Sequence, residues 1–203
     1  MTRPFLRSTA QATNGLTRVL WLFYGCSAPI PAPAPAPAPE RGCLSATSGD
    51  TTTYDTILPQ PLGDDKSVVF TVTAGNDAHL GFFSDTQSTG EVYEIVLSGW
   101  GNTMSTIRPC NQCSNSYQGA DASGGRRPTP GLLSATEART FWASAVDGLV
   151  IVGTGDSVGD DELMRWQDPD HHVASYVGVM TGWGATGEWE VCATGWGSTP
   201  QPW

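Results

Sequence analysis

The residues able to do chemistry fall into a few short constellations. Asp77 and His79, in Asn76-Asp77-Ala78-His79, bring an acid beside an imidazole, the minimum for a general base. The stretch follows a strand-like run, so it reads first as a turn in which Asp77 bonds nearby backbone amides. His171 and His172 adjoin Asp168 and Asp170. Adjacent side chains on an extended chain point to opposite sides, which makes one shared metal awkward. Cys110 and Cys113 supply half of a zinc site, and the chain holds no second Cys-x-x-Cys. The acidic loop from Asp156 to Glu162 has oxygen ligands but not the spacing of a known calcium loop, and reads as solvated. No Ser/His/Asp set sits in a nucleophile elbow. No catalytic residue and no metal site is assigned.

Three Gly-Trp-Gly triplets stand out, at 99–101, 182–184 and 195–197. Glycine on both sides lets the backbone take φ > 0 or pack closely against the indole. The preferred reading makes Trp100 and Trp183 core residues that plug the end of a sandwich. The alternative is an exposed ring that stacks on a sugar or lipid. In that case the ligand contacts are Trp100, Asn102, Arg108, Trp166 and Trp183, with the loop 109–131. The third triplet lies in a polar tail, 193–203, and reads as the start of a truncated repeat.

The elements that must hold these residues are strands. In Ser67–Ala74, Val68, Phe70, Val72 and Ala74 share one face; in Glu91–Ser98, Tyr93, Ile95 and Leu97 do. The segments 140–146 and 149–152 flank Asp147-Gly148, a strong hairpin signal. Further strands are expected at 51–58, 78–83, 104–107, 173–180 and 187–192. Eight or nine short strands imply an all-β fold, an antiparallel sandwich or jelly roll. One short helix is expected from Ser134, with Glu137 completing a capping box. Residues 110–131 carry no period and read as a long exposed loop.

Residues 1–28 resemble a signal peptide: scattered Arg, the apolar run Val19–Tyr24, then small residues. The run is far short of the ~20 residues that span a bilayer. Residues 29–42 form a Pro-Ala-rich spacer, in which alternating proline favours an extended rod. The folded domain is expected over 43–192. Cys26 falls in the leader, leaving Cys43, Cys110, Cys113 and Cys192. The preferred pairing of these is Cys43–Cys192 and Cys110–Cys113. An entropic account gives the long Cys43–Cys192 closure about 4–5 kcal/mol. Net charge is −10; from Arg41 onward seven basic residues face nineteen acidic ones, a net of −12. So acidic a module is unsuited to nucleic acid or to anionic membrane surfaces. An extracellular location is expected.

Phe70–Phe82, Tyr93–Asn102, Thr140-Phe-Trp142, Asp147-Gly148, Val152-Gly-Thr-Gly155 and Thr181–Trp189 occur in order. Together they resemble the farnesoic acid O-methyltransferase domain over about residues 65–192. The insert from Pro109 to Pro128, with Cys110 and Cys113, departs from that pattern. The family's name implies methyl transfer from S-adenosylmethionine to a terpenoid acid. In the common methyltransferase architecture that cofactor takes a strand, a glycine turn and a helix. Here Val152-Gly-Thr-Gly-Asp156 is followed by Ser and Gly rather than a helical pattern. No cofactor is therefore expected. The first expectation is a noncatalytic extracellular module that binds carbohydrate or a protein partner. The alternatives are an S-adenosylmethionine-dependent methyltransferase and a purely structural module.

Overall fold

The computed structural model describes residues 40–87, 90–112 and 126–197. They form two six-stranded sheets whose strand pairs are antiparallel, numbered here in chain order. The first sheet runs, in spatial order, β1 (Arg41–Ser48), β12 (Gly187–Thr194), β3 (Ser67–Thr73), β8 (Arg139–Val146), β9 (Leu149–Thr154), β10 (Glu162–Gln167). The second runs β2 (Thr56–Ile57), β11 (Tyr176–Thr181), β4 (Ala78–Phe83), β5 (Val92–Ser98), β6 (Met104–Arg108), β7 (Arg127–Pro128). The expected all-β sandwich is what the chain adopts.

Alternation explains the core. Val68, Phe70 and Val72 of β3 face Leu80, Phe82, Ile95 and Leu97 of the second sheet in one buried cluster. Phe70 packs against Phe141 at 5.6 Å and Trp189 at 6.1 Å between ring centroids. Burial of one such ring contributes roughly 1.5–3 kcal/mol. The Asp147-Gly148 hairpin forms with both residues left-handed, φ 48° and 77°, as its two-residue turn requires.

Two expectations fail locally. No helix forms at Ser134. Its hydroxyl accepts from the amides of Thr136 and Glu137, as a cap would, but Glu137 pairs with Arg139 and the chain enters β8. The cap bonds form; the β-branched and aromatic residues from Thr140 then favour a strand. The acidic loop is exposed from Asp156 to Glu162, as expected, and its last residue opens β10 and pairs with Arg165. The tail is not all polar surface: Trp196 is buried in the core and donates from Nε1 to the Pro61 carbonyl at 2.8 Å.

Cys43 and Cys192 sit directly opposite each other on β1 and β12 and form the expected disulfide. Such a bond is compatible with an extracellular or lumenal compartment. Cys110 is also disulfide-bonded; Cys113, its expected partner, lies outside the described residues, as do the leader and most of the spacer. No helix among the described residues is long and apolar enough to cross a membrane.

Candidate functional site

The central strands of the second sheet are buried on both faces. Their inner face is the core. Part of the outer face is covered by Tyr54, which packs with Phe83, Val92 and Met180. Gly81 makes this possible, since a Cβ there would stand 3.0 Å from the Tyr54 ring and 2.6 Å from Phe83. Beside Tyr54's cluster the same face carries buried charged side chains.

That charge forms a chain across three strands. His79 on β4 bonds through Nδ1 to Glu94 Oε1 on β5 at 2.8 Å. Glu94 Oε2 lies 3.2 Å from Arg108 Nε on β6 and accepts from the Gln112 amide at 3.0 Å. Glu94 and Arg108 are direct cross-strand partners, and His79 is one diagonal step away. His79 Nε2 has no hydrogen-bond partner and faces Asp77 Oδ1 at 3.9 Å. Burial disfavours protonated His79, but Asp77 and Glu94 outweigh it and raise its pKa above the ordinary 6.5. Burial, reinforced by Glu94, pushes the Tyr54 phenol well above its usual value.

Both ends of this chain finish on a tryptophan from a Gly-Trp-Gly triplet. Trp183 stacks on His79 with ring centroids 5.5 Å apart and planes 16° apart. The Trp100 ring lies 6.0 Å from the Arg108 guanidinium and 4.2 Å from that of Arg126. The register explains the symmetry. Leu97, Ala78 and Thr181 are level across β5, β4 and β11, so both triplets leave the same end of the sheet on either side of β4.

The expectation that these two rings plug the core is therefore corrected. Trp183 is 54 % exposed and Trp100 38 %. The close approaches belong to the preceding glycines: a Cβ on Gly182 would meet the Thr51 carbonyl oxygen at 2.4 Å, and one on Gly99 would meet Asp77 Oδ1 at 2.9 Å. The rings themselves follow left-handed backbone, φ 54° at Trp100 and 53° at Trp183. The residues 99–102 make one turn of α1 (Gly99–Asn102), left-handed from Trp100 to Asn102. Each non-glycine residue in this conformation costs about 1–2 kcal/mol.

The other expected contacts are placed as follows. Arg108 belongs to the buried chain. Asn102 clamps Leu133, donating to its carbonyl at 3.1 Å and accepting from its amide at 3.3 Å. Trp166, on β10 of the first sheet, is half-buried and meets Tyr93 edge-on at 5.9 Å. The loop 109–131 is described only at its two ends. His172 stacks on Tyr93 at 3.9 Å, and the Tyr93 hydroxyl donates to Asp168 at 3.3 Å and accepts from the His172 amide. Burial pushes that phenol up to about 12. His171 packs instead against Gly148. Among the described residues, three potential metal-ligand groups converge at Cys43, Glu190 and Cys192, where the two sulfurs are already bonded to each other.

The residues do not fit the usual S-adenosylmethionine cradle. Gly153 sits under Trp142, where a Cβ would be 2.4 Å from the indole, and Gly155 leads through bends and turns into β10 rather than a helix. The sequence reading missed Glu94 and Tyr54. Glu94 left a signal: a lone carboxylate inside an apolar strand needs a partner, and His79 and Arg108 are on the adjoining strands.

Fold and site define a two-sheet antiparallel module with a pair of tryptophan loops at one end. The profile of the family described as farnesoic acid O-methyl transferase matches residues 50–194, and the chain belongs to that family. No curated protein matches it at a significant level. Solved structures resemble it at low score. A lichenase derived from a mouse hindgut metagenome gives a TM-score of 0.43 at 11% identity, covering 75% of this chain and 79% of that one. A carbohydrate-binding module from Bacillus subtilis gives 0.40 at 15% identity, covering 71% and 91%. Sheep galectin-11 gives 0.35 at 10% identity, covering 64% and 98%.

Proposed function

We propose that this chain is a noncatalytic extracellular recognition module that binds carbohydrate at its triplet end. The observation that carries this is Trp183. Its ring is more than half exposed, its backbone is held left-handed, and His79 backs one face of the indole. Strain kept at an aromatic whose ring is more than half exposed marks a surface held for contact. An indole offers an apolar face and a polar edge, which suits a sugar's C–H face and hydroxyl groups. Trp100 serves as a second contact, although Arg126 covers part of its ring.

The charged chain supports recognition over catalysis. His79 and Glu94, the groups best able to move protons, have no exposed surface. They position the tryptophans instead. A glycan panel probed with wild type and Trp183→Ala tests the reading: binding by wild type and its loss in the variant are expected. Calorimetry with S-adenosylmethionine supplies the contrary outcome. Micromolar cofactor binding together with no glycan binding would replace this reading with the methyltransferase one.

A further inference from the structure

Beside the Trp183 loop a groove of about 450 Å³ opens at the end of the sandwich, between β1, β3 and the turns flanking β4 and β12. Gly184, next to Trp183, forms part of its wall, and Asn76, next to Asp77, forms another. Its side-chain chemistry is hydroxyl and amide: Thr47, Thr73, Asn76 and Thr186, with Ala135 at the rim. Among its described lining residues Glu188 is the one charged group, and none is basic. At its base Ser48 accepts from Trp189 Nε1 at 2.8 Å and shares a hydrogen bond with Thr181 at 2.9 Å, a buried hydroxyl pair fixed by the core. Gly187 keeps this base open, because a Cβ there would stand 2.8 Å from Ser48 Oγ.

We infer that this groove is a saccharide subsite beside the Trp183 loop, and that it selects glycans carrying no anionic group. The inference rests on the carbohydrate reading and deepens it. The size is that of small-ligand pockets, about 300–1,000 Å³. Hydroxyl and amide groups exchange hydrogen bonds with sugar hydroxyls without the desolvation cost of buried charge. Trp183, the chain neighbour of the groove's Gly184, offers a stacking ring to a sugar that extends past the groove. Glu188 repels sulfate and uronate groups, a module of net −12 from Arg41 onward adds to that repulsion, and the same carboxylate attracts an amino sugar.

The test titrates the full chain with three hexasaccharides, a neutral β-glucan, a chitosan fragment and a heparin fragment, read by calorimetry. The neutral and chitosan hexamers are expected to bind, and the heparin fragment is not. Ala135→Trp fills the exposed rim and is expected to weaken both ligands about tenfold or more, with thermal unfolding unchanged. Glu188→Gln is expected to weaken the chitosan fragment about threefold and leave the neutral glucan alone. Preference for heparin, or wild-type binding by Ala135→Trp while Trp183→Ala abolishes it, overturns the groove and leaves the recognition reading standing. Silence of wild type toward all three hexamers overturns both.

Discussion

In the triplets at 99–101 and 182–184 the tryptophan itself takes the left-handed conformation, and its ring emerges on the surface. At 195–197 the left-handed residue is Gly195, with φ 82°, and Trp196 turns inward to a 5 % exposed position. The three residues are identical; which one makes the turn is not. A shift of one position along an extended chain sends a side chain to the opposite side. It also moves the strain from a residue that bears it to glycine, which does not. The core tryptophan is therefore the relaxed one, and the two surface tryptophans are held at a cost by their surroundings. A tripeptide does not by itself specify a core plug or a contact surface.

Substitutions can sharpen this contrast, beginning with the largest effect. Trp196→Ala removes a buried ring and orphans the Pro61 carbonyl, and should cost about 3–5 kcal/mol in urea unfolding. A loss no greater than that of Trp183→Ala would dissolve the distinction. Glu94→Gln breaks the buried ionic chain that supports both surface rings, and should cost about 3 kcal/mol. Near-ultraviolet circular dichroism should then report altered tryptophan packing.

The third effect depends on pH. Asp77 and Glu94 raise His79 above its unfolded value against the opposing effect of burial. Its contribution to stability is thus complete below about pH 6.5 and is lost as pH rises through the folded pKa. Urea midpoints measured across that window should fall with rising pH in wild type, and the fall should be smaller in His79→Asn. A wild-type curve with no slope would show that His79 is not coupled to its carboxylates. The smallest effect belongs to Trp183→Gly. Relief of left-handed strain offsets the lost stack on His79, so stability should stay within about 1 kcal/mol of wild type while glycan binding disappears.

Most of the framework was legible in the sequence, for local reasons. Val68, Phe70 and Val72 alternate because one face of β3 is core, and Asp147-Gly148 specifies its turn through its own φ angles. β1 escaped notice because Leu44 and Ala46 offer too little apolar alternation beside a proline-rich spacer. Ser134 and Glu137 carried a true local signal that the following strand overrode. The site was harder to see. Period two sends His79, Glu94 and Arg108 away from the core, which for a two-layer sandwich means solvent. It gives no warning that Tyr54, from a distant loop, helps to cover that face. Partners 14 and 15 residues apart meet only through strand register.

The Cys43–Cys192 bond bears on how the module carries force. Arg41 and Thr194 are level at the open end of the β1–β12 pair, so tension applied there would peel the two strands apart one rung at a time. The covalent bridge lies two rungs in. Peeling therefore stops almost as soon as it starts, and the load passes through sulfur instead of the sheet. In an oxidising compartment the tryptophan face would stay assembled on a stretched chain; under reduction the same pull would strip off the edge strand first.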